Sequence, residues 1–103
     1  MEEKAPLLKL DLKNLEDSIF ENEDIIFRRM VECIDYGINT DVDIVTLFTV
    51  PPMDGDNIYL VLKKMSWVTS LEKCLSYFEG IEDYEMCEYT KDILERFNNP
   101  LIN

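Results

Sequence analysis

Through the first third of the chain, apolar residues recur every three or four positions, at Leu12, Leu15, Ile19, Ile26, Met30, Cys33 and Ile34. That spacing predicts helix. Asn22, followed by Glu23 and Asp24, has the form of an N-cap with acids in the first turn, so the stretch is read as broken near Asn22, with the stronger helix over residues 23–36. Gly37 then stands where a left-handed residue often closes a helix.

From Val42 the pattern changes. "VDIVTLFTV" is dense in β-branched residues and ends at Pro51-Pro52, which cannot continue a ladder, so a strand is predicted. "NIYLVLKKM" predicts a second strand, and Asp54-Gly55 in the connecting "PPMDGD" supplies the positive φ angles of a turn. The two form a β-hairpin with a long loop. Both strands are partly apolar on both faces: one face is expected against the helices, and the other has no evident cover. Because two strands alone are marginally stable, either the helices cover the hairpin or a third strand comes from the N-terminal "PLLKLDL", from another copy or from a partner.

After Trp67, Thr69 and Glu72 have the spacing of a reciprocal cap, and Leu71, Cys74, Leu75 and Phe78 share one face of the helix that follows. Gly80 is placed to end it. The next helix is expected to begin near Glu82 and Asp83, with Tyr84, Cys87, Lys91 and Leu94 on one stripe and Met86, Thr90, Ile93 and Phe97 on its neighbour. "NNPLIN" is read as a helix stop and a short tail. The fold class is therefore α+β: N-terminal helices, a central β-hairpin and a C-terminal antiparallel helical hairpin, in a single domain of 103 residues.

Composition narrows the chemistry. Acidic residues number 22 against 10 basic ones, a formal charge of −12, which repels nucleic-acid backbones and anionic membranes. Direct nucleic-acid binding is not expected. Histidine is absent, which removes the usual general base, most zinc-site patterns and the Ser-His and Cys-His nucleophile pairs. Cys33, Cys74 and Cys87 are odd in number and lie in helix-like segments, as suits buried reduced thiols. No apolar run approaches the roughly 20 residues a membrane span needs, and "MEEKAPLLKLDLK" lacks the apolar core of a secretion signal, so a soluble, cytoplasmic protein is expected.

Gly37, Gly55 and Gly80 are too far apart for a phosphate loop, and the acids around Asp54-Gly55-Asp56-Asn57 fall short of a calcium loop. No cofactor, metal site or catalytic residue is expected, and the chain is read as non-enzymatic.

The run Asp83-Tyr84-Glu85-Met86-Cys87, followed by Lys91-Asp92-Ile93-Leu94, resembles the second helix of the UVR motif, the helical hairpin of nucleotide-excision-repair subunits B and C and of bacterial Clp protease adaptors. Tyr84-Glu85 matches its aromatic-Glu pair, Cys87 its first small residue, Lys91-Asp92 its Arg-Asp pair and Leu94 its aliphatic position. Glu88 and Thr90 depart from the pattern. The resemblance implies association with other helices and no catalysis, with Phe78, Tyr84, Leu94 and Phe97 as anchors and Glu85, Glu88 and Lys91 around the rim. Tyr77 and Tyr89 lie off the main stripes and are expected to be exposed contacts. In size, acidity and lack of histidine the whole chain is similar to the small acidic accessory proteins of tailed bacteriophages, many of which bind host or phage machinery.

Three functional readings follow. The first is an acidic protein that binds and modulates a larger protein assembly through Tyr77, Phe78, Tyr84, Glu85, Glu88, Tyr89 and Lys91. The second is a nucleic-acid mimic that inhibits a DNA- or RNA-handling host enzyme or defence system, and the third is a structural homo-oligomer subunit.

Overall fold

The computed structural model describes residues 5–51 and 55–98. Helix α1 (Leu15–Glu21) leads into α2 (Glu23–Thr40), then strands β1 (Ile44–Val50) and β2 (Ile58–Lys63), a 3-10 turn (Lys64–Ser66), α3 (Trp67–Gly80) and α4 (Tyr84–Asn98). The α+β class is as expected, with an antiparallel two-stranded hairpin and two C-terminal helices that pack together. Helix α2 is the hub, touching α1, β1, α3 and α4. Its Val31 and Ile34 are fully buried beside Trp67, Leu71, Cys74 and Phe78 of α3 and Ile93 of α4.

The break falls at Asn22, but its side chain caps nothing on α2. Its amide donates instead to the Ser18 carbonyl at 2.7 Å and closes α1. Gly37 does not end α2. The helix runs on to Thr40, and Asp41 takes the left-handed position at φ 57°, which short polar residues tolerate. Gly37 is needed for space, since a Cβ there would lie 2.6 Å from Trp67 Cη2.

Helix α3 starts at Trp67, two residues before the expected cap at Thr69. Strand β2 passes directly into the 3-10 turn, whose Lys64 carbonyl accepts the Trp67 N–H, so the helix is entered without a side-chain cap. At its far end Gly80 is the last helical residue, but Glu82 adopts the left-handed conformation, φ 60°. The Asp83 N–H reaches the Phe78 carbonyl at 2.9 Å and the Glu82 N–H the Glu79 carbonyl at 3.2 Å, the paired bonds of a Schellman ending. Asp83 then opens α4, its carboxylate accepting the Met86 N–H at 3.2 Å.

In the hairpin, Ile44 to Thr46 pair with Lys63 to Val61 and Phe48 to Val50 with Leu60 to Ile58, leaving Leu47 as an extra, bulged residue. The Leu47 carbonyl is taken up by Arg29 Nε of α2 at 2.8 Å. Gly55 has the expected positive φ, 92°, while Asp54 and Pro52 lie outside the described residues, as does most of the "NNPLIN" tail. The N-terminal segment contributes a single parallel bridge, Leu7 to Thr49, with the Leu8 N–H bonded to the Thr49 carbonyl and the Thr49 N–H to the Pro6 carbonyl, each at 2.9 Å.

Candidate protein-binding surfaces

The C-terminal hairpin turns most of its aromatic residues inward. Phe78 has no exposed surface and sits under the Arg28 guanidinium, 5.3 Å from ring centroid to carbon, so it is a core residue and cannot meet a partner. Tyr77, expected as an exposed contact, is half-buried against Phe27 at 4.8 Å, and its hydroxyl donates to Asp24 at 2.7 Å. Asp24 also holds Arg28 at 2.8 Å, and Arg28 reaches on to the capping carboxylate of Asp83 at 2.8 Å. Tyr89, the other expected contact, repeats this arrangement. Its hydroxyl donates to Asp35 at 2.7 Å, and Asp35 accepts Arg96 at 2.6 Å.

Off-stripe positions looked exposed because helical periodicity places a side chain on its own helix and says nothing of a neighbour. Both tyrosines instead bolt α2 to the hairpin. The charges are tuned accordingly: the Arg28 and Tyr77 bonds hold Asp24 below the usual carboxylate range, and Arg28 with the Met86 N–H does the same for Asp83. Burial pushes Asp35 up, but its Tyr89 and Arg96 bonds outweigh that and leave it lowered. The bond to Asp24, with some desolvation, pushes the Tyr77 phenol up to about 12.

The remaining predicted residues do face solvent: Tyr84, at 67 % exposure, with Glu85, Glu88 and Lys91. This outer face is polar. Leu94 and Phe97 are half-buried, Phe97 packing on Trp67 at 5.9 Å. Cys87 and Thr90 are buried, the Thr90 hydroxyl turned back on the Met86 carbonyl at 2.6 Å. All three cysteines are buried and none is in a disulfide, and burial pushes the Cys74 thiol up to about 12.

Apolar surface is exposed elsewhere, on the hairpin. Val45, Phe48 and Val50 point into the core, which leaves Ile44, Thr46 and Thr49 on the far face of β1, beside Tyr59 and Val61 of β2. Ile44 is 53 % exposed, Tyr59 58 % and Val61 47 %, and no helix covers them among the described residues. Where this face meets α2 and the N-terminal segment, a groove of about 800 Å³ runs beside β1, lined by Leu7, Arg29, Tyr36, Ile44, Thr46 and Tyr59 among others. These residues were absent from the predicted site. Their signal was present in two strands apolar on both faces, a pattern that calls for cover on both.

Among the described residues, no three His, Cys, Asp or Glu side chains gather as metal ligands, and no helix is long and apolar enough to cross a membrane. No protein-family model, no curated protein and no solved structure matches the chain.

Proposed function

We propose that this protein is a non-enzymatic binding module that docks on a larger protein assembly through the uncovered face of its hairpin, with its anionic exterior orienting it toward a basic surface. The observation that carries this reading is the row Ile44, Tyr59 and Val61, exposed apolar side chains grouped on a chain of net charge −12. Contiguous apolar surface of this kind on an otherwise charged protein marks an interaction site. The polar rim is supplied by Tyr84, Glu85, Glu88 and Lys91 only if the partner also reaches the outer face of α4. The UVR-like turn around Tyr84-Glu85 and the likeness to phage accessory proteins favour host machinery as the target, bound so as to modulate it in the cytoplasm.

Affinity capture from lysate of the cells the protein comes from, run with wild type, Ile44→Asp and Tyr84→Ala, tests the proposal. Ile44→Asp is expected to abolish capture of the partner while the far-ultraviolet circular dichroism stays native, and Tyr84→Ala to weaken it less. Undiminished capture by folded Ile44→Asp overturns the sheet as the docking face. Capture that survives Ile44→Asp but collapses when the acids of α4 are neutralised points to the nucleic-acid mimic instead.

A further inference from the structure

Strand β2 has one edge against β1 and one edge with no neighbour among the described residues. Which backbone groups lie on that open edge follows from alternation along the strand. Lys64 donates its N–H to the Asp43 carbonyl at 2.8 Å, so even-numbered residues turn toward β1. At the other end, Thr49 stands opposite Tyr59 and turns its N–H and C=O away from β2, to Pro6 and Leu8. Both ends agree: the N–H and C=O groups of Tyr59, Val61 and Lys63 point out of the sheet.

Such an edge is normally blunted by a proline, a bulge, a central charge or a covering segment. Here β2 reads Ile58-Tyr59-Leu60-Val61-Leu62-Lys63, with its one charge at the end, and the hairpin's bulge lies in β1. β1, in contrast, has its outer edge occupied at Thr49 by the N-terminal segment and at Leu47 by Arg29.

We infer that the open edge of β2 is a self-association site, where a second copy of this chain adds its own β2 antiparallel about a twofold axis to form a continuous four-stranded sheet. A closed twofold contact requires one patch to be complementary to itself, and an antiparallel strand pair meets that requirement. Charge at the two ends of the strand fits the same occupant, although the chains as wholes repel. Asp56 precedes the strand and Lys63 and Lys64 end it, so antiparallel pairing brings the basic end of each copy beside the acidic end of the other. The pairing also joins Tyr59 and Val61 of the two copies into one apolar face and supplies the third and fourth strands that a two-stranded sheet lacks. This goes beyond the partner-binding proposal and does not rest on it.

The mass of the full chain, followed by sedimentation equilibrium from micromolar to millimolar concentration, is expected to rise from 12.2 kDa toward twice that value. Salt is expected to favour the dimer, because screening weakens repulsion between two chains of charge −12, whereas binding to a basic partner weakens with salt. Val61→Pro removes one outward N–H without touching the bonds to β1, and proline is tolerated at such edge positions. It should yield a folded monomer.

If that variant does not fold, amide exchange on wild type decides. The Tyr59, Val61 and Lys63 amides are expected to exchange fast in dilute solution and slowly in concentrated solution, with Leu60 and Leu62 slow throughout. A mass fixed at 12.2 kDa at every concentration and salt level overturns the inference. So does a folded Val61→Pro variant that dimerises like wild type, or protection of the three edge amides in the dilute monomer or only when another protein is added. Ile44→Asp lies on β1, one strand from the junction, so it should spare the dimer, and the two proposals can fail separately.

Discussion

Gly37→Ala should destabilise the protein, contrary to the usual effect of this exchange. Inside a helix, replacing glycine by alanine typically stabilises by about 1 kcal/mol. At position 37 the new methyl carbon falls 2.6 Å from Trp67 Cη2 and 3.0 Å from both Trp67 Cζ2 and Val45 Cγ1. The indole has little room to retreat. It is wholly buried, its Nε1 is bonded to the Leu62 carbonyl at 3.2 Å, and the Phe97 ring packs on it. Overpacking a rigid core costs about 1–3 kcal/mol, and a contact this short belongs at the upper end. After the gain in helix propensity, a net loss of about 2 kcal/mol remains, or roughly 10 °C in Tm for a domain of this size. Thermal and urea unfolding, followed by the fluorescence of the single tryptophan and by circular dichroism, measure it directly. The decisive arm is Trp67→Phe, which removes the outer indole atoms at the cost of its own destabilisation. In that background only the 3.0 Å contact with Val45 Cγ1 remains, so the loss caused by Gly37→Ala should shrink by at least about 1 kcal/mol. A higher Tm for Gly37→Ala in the wild-type background, or the same loss in both backgrounds, would refute the packing argument.

Other consequences follow from the same geometry. Asp24, Asp35 and Asp83 have folded pKa values below the ordinary 3.8, so their stabilisation is present above that value and is lost as pH falls through the folded values. Acid unfolding is therefore expected below about pH 4, and Arg28→Leu should flatten the part due to Asp24 and Asp83, as read by urea midpoints across that window. The Tyr77 phenol should titrate near 12 in ultraviolet difference spectra and move down toward 10 in Asp24→Asn. Glu82→Gly relieves a left-handed side chain that costs roughly 1–2 kcal/mol, partly offset by the greater freedom of glycine in the unfolded chain, so a gain of about 0.5–1 kcal/mol is expected from urea unfolding.

The succession of elements could be read along the chain because each depends on local pattern: the three-four spacing of α2, the β-branched runs of the hairpin, the acids before α4. What could not be read depends on contacts between distant segments. Tyr77 reaches Asp24 across 53 residues and Tyr89 reaches Asp35 across 54, and no periodicity signals either bond. Gly37 was misplaced for the same reason: its role as a helix end is a local inference, while its actual role is set by Trp67, thirty residues on. The bulge at Leu47 likewise depends on Arg29, which offers a donor the ladder does not. On the candidate surface, Tyr84, Glu85 and Glu88 lie outside, but the anchors Phe78 and Phe97 do not, since a buried and a docking aromatic look alike in sequence.

The arginines tie these observations together. The chain has three, and each joins α2 to something else: Arg28 to the turn before α4, Arg29 to β1, and Arg96 of α4 to Asp35. Guanidinium groups, with their fixed fork of donors, suit this bracing. The charges of Arg28 and Arg96 are thereby matched by Asp24, Asp83, Asp35 and Asp92, so most cations left to face solvent are lysines, outnumbered by carboxylates on α1 and α4. The helices consequently carry most of the charge, and the hairpin carries one exposed apolar surface, with Leu15, Ile19, Phe20 and Ile25 of α1 and α2 forming another. A partner attracted by the charge would find its contact area on the hairpin, which is why Ile44→Asp and neutralisation of the α4 acids are expected to act differently, the one on dissociation and the other on the rate of encounter.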